Sequence, residues 1–214
     1  MDNFAELTHA ERAALRMLIA RAEIARVTQD WGLARDAGRW KQLHEFFAPD
    51  AIMHTTWFVG SASEFIDRSR EAAKAGARAQ HFIGTSSIEI QGDRAIAETR
   101  MILLVRGKLQ GAEVDVTCHG RFYDFLSNAD GWRIQRRVPI YEKDRMDPLQ
   151  TGVVLGLDAD RLASYPEGYR HLAYLQSEGG ARISNDLPTP HSDALVRLCA
   201  EGSAWLGRDA SATG

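Results

Sequence analysis

The sequence predicts an α+β fold: a cone-shaped α+β barrel in which three N-terminal helices pack on a curved antiparallel sheet, followed by a C-terminal helical extension. Three observations carry this. Three helical segments, the first and third opened by capping boxes, come before Gly76, and four extended runs (80–90, 94–106, 113–126, 132–143) then follow one another across short turns. Beyond Asp147-Pro148 the chain turns helical again. Sequential hairpins imply antiparallel pairing, and helices grouped before strands imply α+β layering, with a pocket between the two layers. The expected division is a barrel domain over 1–147 and an extension over 148–214, packed on the body or on a neighbouring subunit.

The first helix opens at Thr8, whose hydroxyl can accept from the Glu11 amide while the Glu11 side chain reaches back. Leu15, Leu18, Ile19, Ala22, Val27 and Trp31 form its apolar stripe, and Gly38 can terminate it in a left-handed conformation. A short second helix carries Trp40, Leu43, Phe46 and Phe47, and 51–59 reads as a first strand. Ser61-Ala62-Ser63-Glu64 is a second capping box, opening a third helix with Phe65 and Ile66 inward and Gly76 at its end. Gly92-Asp93, 107–111 and 128–131 supply the turns of the sheet. In the tail, Tyr165-Pro166 leads into one helix and Pro188-Thr189-Pro190 precedes another running from about Ser192 to Trp205.

The chain has 214 residues, 44% hydrophobic and 26% charged, which is globular composition with enough apolar material for one sizeable core. A net charge of −3 argues against a general nucleic-acid binder. No apolar run approaches the roughly 20 residues that span a bilayer, and Met1-Asp2-Asn3-Phe4-Ala5-Glu6 has neither a basic nor an apolar leader region. A cytoplasmic location is expected, with no membrane partner. Seven histidines are scattered without a metal-ligand spacing, so no metal is expected. No glycine-rich loop joins a strand to a helix, so no nucleotide cofactor is expected either. Cys118 and His119 are strand neighbours and point to opposite faces, which argues against a Cys–His catalytic pair.

On position alone, Asp36 is a helix-end residue and His81 a histidine on a strand. The order of elements, however, resembles the nuclear transport factor 2-like superfamily in its SnoaL-like, scytalone dehydratase-like branch, over about residues 8–143. Gln80-His81-Phe82-Ile83-Gly84 is similar to the stretch around the catalytic histidine of scytalone dehydratases, and Asp36 falls where those enzymes and the hexachlorocyclohexane dehydrochlorinases place the partner aspartate. Gly131-Trp132-Arg133-Ile134 matches the turn into the last strand, which sets Arg137 against a functional arginine of the dehydrochlorinases. The resemblance thus implies a catalytic set of Asp36, His81 and Arg137. Two departures stand out. The second catalytic histidine of scytalone dehydratases would fall at Val105 or Arg106, and their serine and asparagine at His119 and Arg121.

Histidine titrates near neutrality, and a carboxylate on its far nitrogen fixes its tautomer, so such a dyad is a general base that needs no nucleophile and no cofactor. Strand alternation adds candidates for binding a small-molecule substrate: Met53, Thr55 and Trp57 on the first strand, His119 and Arg121 beside Tyr123, and Pro139 and Tyr141 beyond Arg137. His54 then points the other way. Trp40, Trp57 and Phe82 suggest an aromatic ligand, although helix aromatics also serve as core. Equally, Arg137 can be a solvated or interfacial arginine, and His119 and Arg121 can pair with Asp115 or Asp124 across the sheet. The expected function is a cofactor-independent lyase of dehydratase type. A carbon–carbon lyase releasing formaldehyde from diarylpropane diols, a ketosteroid-type isomerase and a non-catalytic binding module remain open alternatives. The resemblance also implies a homodimer or homotrimer.

Overall fold

The computed structural model describes residues 7–207; residues 1–6, read above for a leader, lie outside the described residues. Helix α1 spans His9–Asp36 and begins with the capping box: the Thr8 hydroxyl accepts from the Glu11 amide, and Thr8 N donates to Glu11 Oε2 at 2.7 Å. Gly38 follows its end at φ +68°, a conformation that only a residue without Cβ adopts freely. The structure departs from the expected stripe in the first half of α1. Leu18 and Ile19 are 64% and 49% exposed, and burial begins at Ile24. The early turns run past the sheet, and Arg21 reaches back to the Ile88 carbonyl at 2.8 Å.

Helix α2 (Trp40–Glu45) is followed by β1 (Phe47–His54), which starts earlier than the sequence suggests, and by the short β2 (Val59–Ser61). Ser61 caps α3 (Ala62–Lys74) by accepting from the Glu64 amide. Four long strands come next: β3 (Arg78–Gln91), β4 (Arg94–Leu109), β5 (Ala112–Asn128) and β6 (Trp132–Pro148). They form one curved, unclosed sheet in the order β2-β1-β6-β5-β4-β3. Pairing is antiparallel throughout except between β1 and β6, which run parallel. That parallel pair joins strands far apart in sequence, and no turn signal could announce it. The architecture is the α+β cone that the element order predicts.

The helices lie on the inner face of the sheet, where Ile24, Trp31, Leu43, Met53, Phe65, Val116 and Phe122 share the main core. A second, smaller core lies on the outer face, where Leu198 and Leu206 cover Ile96, Tyr123, Phe125, Val138 and Ile140. The chain after β6 supplies α4 (Ala159–Ala163), a single 3-10 turn at Glu167–Tyr169, α5 (Arg170–Glu178) and α6 (Asp193–Trp205). Asp144 pins α5 to β6: it accepts from the Leu172 amide and from His171 Nδ1, both at 2.8 Å. Helix α6 is fixed by Trp205 Nε1, which donates to the Leu126 carbonyl at 3.3 Å. The tail thus packs on its own barrel, α5 closing the inner side and α6 covering the outer.

Candidate active site

The last residue of α1 and an edge strand meet at the wall of a cavity. Asp36 ends the helix, and its carboxylate faces the β3 backbone. One oxygen accepts the His81 backbone N–H, and the other lies 2.8 Å from His81 Nδ1. With the carboxylate on Nδ1, the proton sits there and Nε2 is left as the basic nitrogen. Trp31 and Phe122 bracket the imidazole, with ring centroids 5.2 and 6.4 Å away. The ring is held by packing as well as by Asp36.

Burial lowers the His81 pKa below its ordinary value; the Asp36 hydrogen bond and charge work in the opposite direction but do not cancel it, and Arg35 and Arg137 lower it further. His81 is therefore neutral near pH 7, ready to accept a proton. Burial alone would raise the Asp36 pKa, but the bonds from His81 and the charge of Arg35 hold it below the usual carboxylate range.

The cavity beside this pair has a volume of about 380 Å³. That is within the roughly 300–1,000 Å³ usual for small-molecule sites. Its walls are mostly apolar and aromatic: Trp31, Met53, Trp57, Phe65, Leu103 and Phe122. Thr55, just past β1, and Pro139 and Tyr141 on β6 line it, as expected from strand alternation. Burial pushes the Tyr141 hydroxyl pKa well up, so this group stays a proton-bearing donor at any physiological pH. Gln176 of α5 closes one side and accepts the Thr56 hydroxyl at 2.5 Å.

Other expectations need correction. His119 and Arg121 do not face the cavity. On β5 it is Val116, Cys118 and Phe122, an unbroken alternate set, that belong to the inner core. Residues of the opposite parity therefore point outward. Arg121 pairs there with Glu98 and Glu142, rather than with Asp115 or Asp124, and His119 lines a shallow outer groove with Phe82. Phe82 is 67% exposed, so it belongs to no interior ligand box. Trp40 lines a neighbouring cavity, beside Asp36 and Gly38, and not the one that His81 lines. His54 borders the main cavity, but also a second pocket on the far side of β1.

Arg137 lies on the predicted face, but its guanidinium is sealed off. It is fully buried, donates from Nε and Nη2 to both oxygens of Asp124 at 2.7 Å, and lies against Trp31 and Phe122 at 4.3 and 4.2 Å. Those rings stand between it and the cavity. Of the arginines that do line the cavity, Arg35 is the one adjacent to Asp36 in sequence. Sequence reading passes over it because an arginine in the last turn of a helix is ordinary charge placement. Gln176 was likewise unreadable, since it arrives from 120 residues away.

Among the described residues, no three His, Cys, Asp or Glu side chains converge to hold a metal, and no helix is long and apolar enough to cross a membrane.

Fold and site together define a class: an α+β cone whose inner cavity is bordered by a carboxylate-held imidazole. The chain belongs to the SnoaL-like domain family, whose profile matches residues 16–138. It is 31% identical over 203 residues to a PEP2-like protein of Fusarium vanettenii, covering 89% of this chain and 87% of the relative. It is 30% identical over 177 residues to pea pathogenicity protein 2 of the same fungus, covering 80% and 76%. Among solved structures, LinA superposes with a TM-score of 0.54 at 18% identity, covering 68% of this chain and 99% of that one. A protein described as a scytalone dehydratase of Novosphingobium aromaticivorans superposes at 0.50 and 15% identity, covering 70% and 99%. At these identities the likeness to solved structures is one of fold.

Proposed function

We propose that this protein is a lyase that needs no cofactor and eliminates water from a small hydroxylated aromatic or polyketide-like molecule. The observation that carries the reading is the Asp36–His81 pair at the wall of an apolar cavity, with Nδ1 tied to the carboxylate and the cavity beside the ring. A pocket that only binds has no need of a buried imidazole held neutral and oriented by a carboxylate.

In the proposed reaction, His81 Nε2 removes a proton from the carbon next to a carbonyl. The C–H electrons form the new double bond as the β-carbon–oxygen bond breaks. The imidazolium, stabilised by Asp36, returns its proton to the departing hydroxide, which leaves as water. Tyr141 donates a hydrogen bond to the substrate oxygen that gains charge. The role that the resemblance assigns to Arg137 passes to this tyrosine, because Trp31 and Phe122 screen the guanidinium.

The test is a mass-spectrometric product assay on aromatic β-hydroxyketones and 1,3-diols, with wild type beside Asp36→Asn and His81→Ala. A product lighter by one water, lost in both variants, is the expected outcome. A product lighter by formaldehyde would reassign the same base to carbon–carbon cleavage, and isomerisation without mass change would make the protein an isomerase. Full turnover by His81→Ala would overturn the dyad.

A further inference from the structure

The mouth of the cavity is basic in a way that the elimination chemistry does not use. Arg35, Arg78 and Arg106 border both the main cavity and the neighbouring one of about 640 Å³, so they stand on the rim that the two share. Arg78 and Arg106 are direct cross-strand partners on β3 and β4. Like charges placed opposite each other on a sheet repel. Arg106 is neutralised by Asp115, with two bonds of 2.8 and 2.7 Å. Arg78 has no ion pair among the described residues.

Arg35 is more isolated than its neighbourhood suggests. Its side chain is 15% exposed, and its one ion-pair contact is Asp36 at 3.5 Å, to the same oxygen that meets His81 Nδ1. Its Nε is buried without a hydrogen-bond partner. A guanidinium presents five donors in a planar fork suited to an oxyanion. Here most of that fork is unused, at the edge of an aromatic-walled cavity, and Arg78 adds a second positive charge.

We infer that the ligand carries an anionic group, a carboxylate in the simplest case, which docks on the Arg35–Arg78 rim while its aromatic body enters the cavity toward His81. This deepens the functional reading above and rests on it for the identity of the site, but anion binding can be measured without turnover. It narrows the substrate class from hydroxylated aromatics to hydroxylated aromatic acids. The carboxylate would fix which end of the molecule reaches the base.

The experiment is calorimetric titration of the protein with 2-naphthoate and with 2-naphthamide, a matched anionic and neutral pair. The naphthoate should bind about tenfold or more tightly than the amide at low salt, a typical gain for a charge-assisted fork contact. The preference should shrink as ionic strength rises. Arg78→Gln, an exposed position whose loss leaves the fold intact, should weaken naphthoate and leave naphthamide unchanged. Arg35→Gln should do so more strongly, and Lys108→Gln should change neither. Equal affinities, an unchanged preference in Arg78→Gln and Arg35→Gln, or no binding of either compound at millimolar concentration would each overturn the inference. Arginine-dependent naphthoate binding with no elimination from any hydroxylated acid would sink the catalytic reading and leave the anion site standing. Turnover of neutral substrates with equal affinities would do the reverse.

Discussion

Arg137 and Asp124 form a bidentate ion pair in which neither side chain has any exposed surface, and the two are direct partners across β5 and β6. The guanidinium is also sandwiched against Trp31 and Phe122. The pair thus supports, from behind, the rings that hold His81. Its Nη1 is left without a partner, so the arginine is desolvated beyond what Asp124 compensates. Removing one member of a buried pair strands the other charge and typically costs about 3–5 kcal/mol, whereas replacing both with apolar residues is often near neutral. Arg137→Met should therefore be strongly destabilised in urea denaturation, and Arg137→Met with Asp124→Leu should recover most of the loss. A single variant as stable as wild type would mean that the pair does not hold the cavity wall together.

The dyad makes a prediction that needs no substrate. Burial is the dominant influence on His81 and lowers its pKa, while Asp36 is the group that raises it. By NMR titration of the ring nitrogens, wild-type His81 should titrate below about 6.5. Asp36→Asn should move it lower still, because the raising influence is gone. The same variant presents an amide NH2 where two N–H groups now meet carboxylate oxygens, so the ring is driven toward carrying its proton on Nε2, the nitrogen that must be free to act as base. A wild-type titration at or above 6.5 would contradict the burial argument.

What was legible in the sequence was local. Thr8 and Ser61 announced α1 and α3 because a cap is satisfied within four residues. Gly38 and Gly76 marked ends where positive φ is required. The Asp36–His81 contact was legible only through resemblance, since the partners lie 45 residues apart. The facing of β5 is not legible because both of its faces carry large apolar residues: Val116, Cys118 and Phe122 line the inner core, while Tyr123 and Phe125, which share the parity of His119 and Arg121, are covered by α6 on the outer face. Arg137 was assigned the correct face but the wrong neighbourhood, because nothing local to it reveals that Trp31, from another element, lies across its guanidinium.

Helix α6 is seated by the absence of a side chain. A Cβ on Gly202 would lie 1.9 Å from the Tyr123 hydroxyl and 2.8 Å from its Cζ, on a ring buried in the outer core. Forcing a methyl group into a packed contact of this kind costs about 1–3 kcal/mol. In Gly202→Ala, the amides of 193–205 should exchange faster with solvent, while those of β5 and β6 keep their protection. Tyr123→Leu in the same chain should restore part of the docking. Unchanged exchange in Gly202→Ala would show that α6 does not depend on this contact.

Acid sensitivity follows from the same buried groups. The folded His81 has a lowered pKa, so between its ordinary value of about 6.5 and the lower folded value the unfolded chain binds more protons than the folded one. Stability present above about pH 6.5 must then be lost as the pH falls through that window, by at most about 1.4 kcal/mol per unit for one group. His54 is lowered in the same direction, by burial first and then by Arg136, so it adds to the slope. Asp36 extends the loss further down, because its folded pKa also lies below the ordinary carboxylate value. Urea midpoints measured from pH 8 to pH 4 should therefore fall for wild type and fall less steeply for His81→Asn, the residual slope belonging to His54 and, toward pH 4, to Asp36. Equal slopes in the two proteins would mean that the folded and unfolded imidazoles titrate alike, and His81 would then have no claim to be held neutral by its surroundings.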